Sequence, residues 1–200
     1  MKSARIRKLE ESLSYTVEVF DKDGKLLERV SRPSHSYTRN WNYIINEYAS
    51  GGQGPALKNT SGASKTPANG AYLWLGSDAG IGVVSKGIRV GRGSTPVAIT
   101  DYHLETVCGE GTGTNQVRHQ AMEWTAPSVA GATCSFTVRR LMVNLSGAAI
   151  TDVREIGCYF RFWTTVDEQF AMGFRDVLPG NLNVPSGGSI RVTYTLSATV

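Results

Sequence analysis

Alternating apolar and polar residues predict β-strands near both ends of the chain. Residues 15–20 alternate, residues 21–24 (Asp-Lys-Asp-Gly) have the composition of a tight turn, and residues 25–30 return, which predicts a β-hairpin. Residues 189–200 alternate most regularly, so one face of this strand is expected to enter the core. The side chains on that face belong to Ile190, Val192, Tyr194, Leu196 and Val200.

Short strand-like runs separated by turn signals fill most of the chain between these ends. Further strands are expected at residues 72–75, 87–93, 95–99, 101–104, 116–124, 132–143, 150–163 and 170–177. Turn signals separate many of them, such as the glycine-rich residues 109–113 and the residues 144–147 (Asn-Leu-Ser-Gly). Because no helical segments lie between the strands, the pattern predicts an all-β fold, an antiparallel β-sandwich or jelly-roll-like body.

One segment repeats its apolar residues with the period of an α-helix instead. The repeated positions are Tyr37, Trp41, Ile44, Ile45 and Tyr48. Ser34 or Ser36 is expected to cap the start of this amphipathic helix, and the glycines at 51 and 52 to end it. Two interpretations stay open, since the apolar face either packs on the sheet or docks on another subunit. We take its five residues as candidate interface anchors.

The composition of residues 51–70 suggests a boundary. This segment is rich in Gly, Ser, Pro and Asn, and it offers few side chains that can form a core. We therefore predict an N-terminal arm of hairpin plus helix at 1–50, a loop at 51–70, and a β-sandwich domain at 71–200.

An aromatic run within the predicted strand at 150–163 supplies a second set of candidate contacts. Tyr159, Arg161 and Trp163 share one face of the strand, whereas Phe160 and Phe162 share the other. A strand that is apolar on both faces is covered on both sides, either by its own chain or by a neighbouring one. Stacking of nucleic-acid bases on this run is disfavoured, because burial in a central strand explains the pattern as well.

Charge narrows the set of partners only slightly. The net charge is +4, from 21 basic and 17 acidic residues, and the only basic cluster lies in residues 1–8. Its cations are candidates for contact with an acidic neighbour, or else belong to a solvated tail. The residues concerned are Arg5, Arg7 and Lys8. Nucleic acid is not expected as a partner.

The length of the apolar runs bears on whether the chain spans a membrane or is exported. None approaches the roughly 18 residues that a membrane helix needs, so no membrane span is expected. The basic start is not followed by the apolar stretch of a signal peptide, which predicts synthesis in a cytoplasm without export.

Cysteine and histidine spacing gives no sign of a metal site. The three cysteines are far apart, and we expect buried unreactive thiols, with a disulfide between two of them as the alternative. They are Cys108, Cys134 and Cys158. The three histidines are equally scattered, and zinc sites need close ligand pairs, so no metal and no cofactor are predicted.

Catalytic motifs are not evident in the sequence. There is no GxSxG elbow, and the glycine-rich runs at 91–95 and 109–113 match no phosphate-binding loop. A glycosidase pair is conceivable among five carboxylates, although a sequence does not fix their separation. These are Asp152, Glu155, Asp167, Glu168 and Asp176. We therefore expect no enzyme and assign no catalytic residue.

Several segments resemble virion structural proteins of tailed bacteriophages and prophages. Residues 87–105, GIRVGRGSTPVAITDYHLE, are similar to that family's signature I-x-V-G-x-G-x-T-P-V-x-x-x-D-Y-x-L. Residues 146–159 resemble its S-G-x-x-I and E-I-G-L-Y strand pair, and residues 175–178 with 188–196 resemble its R-D-V/L and V-T-Y-T ending. Upstream, residues 34–41 are similar to its S-H-S-F-x-R-N-F segment.

The resemblance implies a role in assembly and no catalytic residues. The expected function is a non-enzymatic structural component of a phage virion, a tail, head-decoration or minor structural protein that assembles in many copies. Its partners are then further copies of itself and other virion proteins. The alternative is a β-sandwich adhesin at a phage tail that binds a receptor or a host-surface glycan.

Overall fold

The computed structural model describes residues 10–34, 36–51, 54–68 and 76–200. Strands dominate these residues, and the expected all-β, sandwich-like fold is confirmed. The first half contains β1 (Glu10–Phe20), β2 (Leu26–Ser34), α1 (Arg39–Ala49), β3 (Leu57–Lys58), β4 (Ser64–Lys65) and β5 (Gly87–Gly91). The second half contains β6 (Gly109–Glu110), β7 (Gln116–Trp124), β8 (Ser128–Ala130), β9 (Thr133–Val143), β10 (Ile150–Trp163), β11 (Glu168–Val184) and β12 (Ser189–Thr199).

Two curled sheets form the body. The large sheet has the order β2-β1-β12-β9-β7-β6, with β8 also paired to β9, and the small sheet has the order β11-β10-β5. The first strand pairs with the last over its whole length, from Glu10 opposite Thr199 to Phe20 opposite Ser189. The large sheet therefore joins strands from both sides of residues 51–70; the division into arm, loop and domain stays a prediction.

The core lies between the inner faces of the two sheets. Val17, Met142 and Val192 of the large sheet pack in one cluster with Ile156 and Phe174 of the small sheet. The alternation predicted for the last strand is confirmed as far as Leu196, since each inward position up to there is buried. Val200 is exposed instead, because the chain has passed the end of the strand.

Residues 92–106, which we call the cover segment, contradict two strand predictions. Contacts of Leu104 with Gly157 and Tyr159, and of Asp101 with Arg175, place the segment over the outer face of the small sheet. Residues 95–99 and 101–104 form no strand. The reason is that several backbone N–H groups of this segment bond to carboxylates rather than to a neighbouring strand. The strand predicted at 72–75 lies outside the described residues.

The predicted helix is present, but its start differs from the prediction. It begins at Arg39, with Thr38 as the N-cap residue, so Tyr37 precedes it. Neither Ser34 nor Ser36 caps the helix, since both hydroxyls donate to Asp176. No helix within the described ranges is long and apolar enough to cross a bilayer.

The cysteines are unbridged, and one of them corrects the prediction. Cys108 and Cys158 are buried as expected, and burial raises the pKa of their thiols to about 11 and about 12. Cys134 is exposed, because it lies at an end of β9 where its cross-strand neighbours Val129 and Ala198 are exposed as well.

Candidate functional site

Two arginines flank a glycine on the outer face of the small sheet. Gly157 of β10 pairs with Arg89 of β5 on one side and with Arg175 of β11 on the other. Directly paired residues project from the same face of a sheet, so both guanidinium groups belong to this face. A Cβ at Gly157 would lie 2.9 Å from Leu104 Cδ2, which shows how closely the cover segment approaches the sheet.

Glu155 fastens the cover segment from below. Its side chain is fully buried, and Oε1 accepts hydrogen bonds from the backbone N–H of Gly93 (3.0 Å) and Thr106 (2.7 Å). Oε2 accepts a third from the N–H of Glu105 at 3.0 Å. One carboxylate thus binds both ends of the segment.

Arg175 completes this arrangement, which we call the clamp. Its guanidinium lies 3.1 Å from Glu155 Oε2 and 2.7 Å from Asp101 Oδ2, and it donates to the carbonyl oxygen of Thr95 at 3.0 Å. Burial by itself lowers the pKa of Arg175, but the hydrogen bond and charge of Asp101, together with Glu155, outweigh burial and raise it. Arg175 is therefore a fully compensated cation.

The middle of the cover segment rests on Tyr159. Leu104 is buried above Gly157, and its N–H donates to the Tyr159 hydroxyl at 2.7 Å. The segment also holds its own shape, since Glu105 Oε2 accepts from the N–H groups of Ser94 and Thr95, each at 2.9 Å. The residues that carry the phage-protein resemblance thus bind one another.

Glu155 belongs to a sequence motif and to the carboxylates considered for a glycosidase, and Arg175 belongs to a motif, but neither pattern predicts the clamp. The available signal was a pair of opposite charges, one beside the apolar run 156–160 and one beside the run 170–174. Opposite charges at Glu155 and Arg175 in buried neighbouring strands are expected to be paired, because an unpaired buried charge is costly. Their third partner, Asp101, comes from a segment that resembled a strand.

A second polar cluster surrounds Asp176, which is buried. Its Oδ2 accepts hydrogen bonds from Ser34 Oγ and from the Tyr194 hydroxyl, both at 3.0 Å, and its Oδ1 accepts one from Ser36 Oγ. Burial and then the Asp176 charge raise the pKa of Tyr194 well above its usual value. The hydroxyl stays protonated, so this cluster acts as a buried tie between β2, β11 and β12.

The helix face divides between the core and the surface. Trp41 lies 5.5 Å from the ring of Tyr37 and 4.8 Å from that of Phe174, and Ile44 is buried. Ile45 and Tyr48 are about half exposed. The three inner candidates therefore contact their own chain, and the two outer ones lie where a partner can reach them.

The candidates on β10 have three different surroundings. Tyr159 lies under the cover segment and is buried. Arg161 lies 3.4 Å from Glu168 and 3.7 Å from Asp78, and Trp163 is 40% exposed. Three basic candidates lie outside the described residues: Arg5, Arg7 and Lys8.

An aromatic cavity of about 320 Å³ opens at one end of the sandwich. Trp41, Phe136 and Phe160 line it together with Trp124, which is 46% exposed, and Asp78 contributes the charge on its wall. The indole N–H of Trp41 is buried and has no hydrogen-bond partner. Aromatic faces beside a carboxylate suit a ligand with both apolar and hydroxyl surfaces.

The five carboxylates considered for a glycosidase all have partners within the chain. Glu155 and Asp176 are bound as described, and Glu168 faces Arg161. Asp152 accepts from Asn181 at 2.8 Å, and Asp167 accepts from Thr164. Among the described residues, no group of three metal-ligating side chains lies together.

Comparison with known proteins identifies no relative. No family model matches the chain, and neither does any curated protein or solved structure. The site is therefore interpreted from its own geometry.

Proposed function

We propose that the protein is a non-enzymatic structural subunit of a bacteriophage particle, in the tail or on the head, where it assembles in many copies. The phage context derives from the resemblance of residues 87–105 and of the later motifs. The assembly mode is argued from a surface of the structure.

The observation that carries the proposal is the exposed edge strand β2. In the described part of the chain it pairs only with β1, so the backbone groups of its other side remain available. Leu26 and Leu27 on this strand are 44% and 52% exposed. An open strand edge with apolar side chains is a template for a strand of another chain. Pro33 lacks an N–H group, which confines such pairing to the first part of β2.

The clamp supports the same proposal from another direction. The side chains that carry the resemblance hold the cover segment on the sheet. Both carboxylate oxygens of Glu155 accept hydrogen bonds from the backbone of this segment. A motif that stiffens a fold fits a building block, whereas a catalytic carboxylate needs a free oxygen beside its substrate.

The test is the concentration dependence of oligomer size. Sedimentation velocity of the full chain is expected to show oligomers that grow with concentration. Replacing both Leu26 and Leu27 by lysine places charges on the edge and is expected to leave monomers. The matched control is Val166→Lys in the turn between β10 and β11, where the side chain is 88% exposed and away from β2; this variant should assemble like the parent.

Two results would count against the proposal. A parent protein that stays monomeric at millimolar concentration contradicts assembly, and equal loss of oligomers in the control contradicts the role of β2. The phage context has its own test, since particles purified from cells that carry the gene should contain this chain in many copies per particle. Its absence from them overturns that part.

A second candidate function is favoured by the aromatic cavity. Exposed Trp124 lines the cavity together with Trp41, Phe136 and Asp78, a combination that resembles in chemistry a site for a sugar ring. A glycan array probed with the parent, with Trp124→Ala and with Trp163→Ala separates the cases. Binding that only the Trp124 variant loses supports a glycan-binding module at a phage tail. Uniform absence of binding contradicts it.

A further inference from the structure

Arg89 forms no hydrogen bond and no ion pair with the residues that the structure describes. It is partly buried on the outer face of the small sheet, and its Nε is buried without a hydrogen bond. Its guanidinium lies 6.0 Å from the ring centroid of Tyr159. None of the carboxylates in the described part of the chain forms an ion pair with it.

The two acidic groups that act on Arg89, Tyr159 and Cys108, are neutral at physiological pH. Burial raises the pKa of Tyr159 to about 12 and that of the Cys108 thiol to about 11, so both keep their protons. Burial is also the main reason that the pKa of Arg89 itself is lowered, and no carboxylate opposes the shift. Its positive charge is therefore uncompensated.

Arg140 is a buried arginine whose hydrogen-bond donors are satisfied within the chain. Its guanidinium donates to backbone carbonyl oxygens, among them those of Gln120 at 2.7 Å and Val83 at 2.6 Å. Arg175 is satisfied by carboxylates instead. Arg89 has neither kind of acceptor among the described residues, so its donors are available to a group from outside the chain.

A cavity of about 290 Å³ lies at Arg89. Thr60 and Ser85 contribute hydroxyl groups to its wall, and His103 contributes a ring. The His103 Nδ1 lies 2.6 Å from the carbonyl oxygen of Leu104, which only accepts, so Nδ1 carries the hydrogen and Nε2 is the nitrogen without that contact. The guanidinium and the two hydroxyls form a donor set that suits the oxygens of a phosphate group.

We propose that this cavity binds a phosphate group, with Arg89 as its charged anchor. Two sources share the chemistry, inorganic phosphate and the phosphate monoester of a larger molecule. The apolar side chains of Val84 and Phe170 on the same wall favour the monoester, because they give its organic part a surface to contact. The inference goes beyond the proposed function, since such a ligand needs no second copy of the chain.

The experiment is a titration of the purified full chain at constant ionic strength. Inorganic phosphate and phenyl phosphate are the two probes, followed by calorimetry, with chloride as the reference anion. Saturable binding is expected for both, tighter for phenyl phosphate. Arg89→Gln is expected to weaken it at least tenfold, because a charge-assisted bidentate contact is lost.

The matched control is Arg154→Gln. Arg154 is also a partly buried strand arginine whose Nε lacks a hydrogen bond, but it does not line the cavity. This variant should bind like the parent. Should Arg89→Gln fail to fold, Ser85→Ala replaces an exposed side chain and is expected to weaken binding several-fold. No saturable binding by the parent, or equal binding by the parent and the folded Arg89 variant, would overturn the proposal.

These outcomes are separate from those of the assembly test. Leu26 and Leu27 lie in the other sheet from β5 and do not line the cavity at Arg89, so their substitution by lysine should leave phosphate binding unchanged. A monomeric protein that still binds phosphate would contradict the proposed function and leave this inference standing. An oligomer without phosphate binding would do the reverse.

Discussion

Arg175 and Arg89 flank the same glycine on the same face of one sheet, yet their surroundings are opposite. Arg175 lies on the β11 side, where the cover segment brings Asp101 to it and β10 brings Glu155. Arg89 lies on the β5 side, where the described residues bring it no carboxylate. The difference teaches that burial alone does not assign a role to a charged residue, whereas its set of acceptors does.

The fold explains why the two sides differ. β11 is the longer strand, and its Arg175 lies within reach of Asp101 in the cover segment and of Glu155 in β10, so this arginine is part of the fold. β5 is a five-residue edge strand whose outer side borders the cavity at Arg89. On the β11 side the arginine is paired within the protein. On the β5 side the arginine borders a cavity that a ligand can enter.

The largest loss of stability is expected from a substitution at Glu155. Glu155→Gln removes the charge that Arg175 faces and turns an NH2 group toward backbone N–H donors. We expect the free energy of unfolding to fall by about 3–5 kcal/mol, as for other buried pairs that lose one partner. Urea denaturation measures it.

The control for this change is Glu123→Gln. Glu123 pairs with Arg139 at 2.6 Å, but both side chains are about half exposed. Solvent screens such a pair, so the loss should be within about 1 kcal/mol. Similar losses at both positions would mean that the clamp adds nothing beyond an ordinary surface pair.

The pH dependence of stability reports on the charge of Arg89 through the nearby residue His119. Burial lowers the pKa of this fully buried histidine to about 4, and the charge of Arg89 contributes to the lowering. An unfolded histidine titrates near pH 6.5, so between these values only the unfolded chain binds the proton. Stability from this group is complete above pH 6.5 and is lost as the pH falls toward 4, by roughly 3 kcal/mol at about 1.4 kcal/mol per pKa unit.

The readout is the His119 titration followed by NMR. Arg89→Gln should raise the pKa of His119, since it removes an uncompensated charge. Arg175→Gln should leave it in place, because Arg175 does not act on His119. An identical His119 pKa in the parent and both variants would show that the Arg89 charge is compensated after all.

Gly157 offers a smaller perturbation between the two arginines. A Cβ there would meet Leu104 Cδ2 at 2.9 Å and the Phe174 carbonyl oxygen at 3.0 Å. Gly157→Ala is therefore expected to lift the cover segment and cost about 2 kcal/mol, a usual price of overpacking. Faster hydrogen exchange of the Leu104 N–H should accompany it. Gly180→Ala, where nothing lies within 4 Å, is the control and should cost far less.

The sequence predicted the parts of the fold whose pattern is local. Ile190, Val192 and Tyr194 alternate because every second position of β12 enters the core, and the pattern needs no distant information. The helix face was predicted for the same reason. Cys134 was not, because its exposure depends on which end of the large sheet is left without a covering layer.

The cover segment and its site could not be predicted from local pattern. Val97 and Ile99 alternate like strand residues, yet the segment's N–H groups bond to Glu155, which lies some fifty positions later. The absence of an acidic partner near Arg89 is even harder to predict from the sequence. It follows from which acidic residues lie near it in space, and no spacing along the chain records that.

The most direct measurement compares Arg175→Met with Arg89→Met by urea denaturation in phosphate-free buffer. Methionine keeps a long side chain and removes the charge. The Arg175 variant should lose about 3–5 kcal/mol, because two carboxylates lose their partner, and the Arg89 variant should change by less than about 1 kcal/mol. Equal losses in the two variants would contradict the distinction between the clamp and the open cavity.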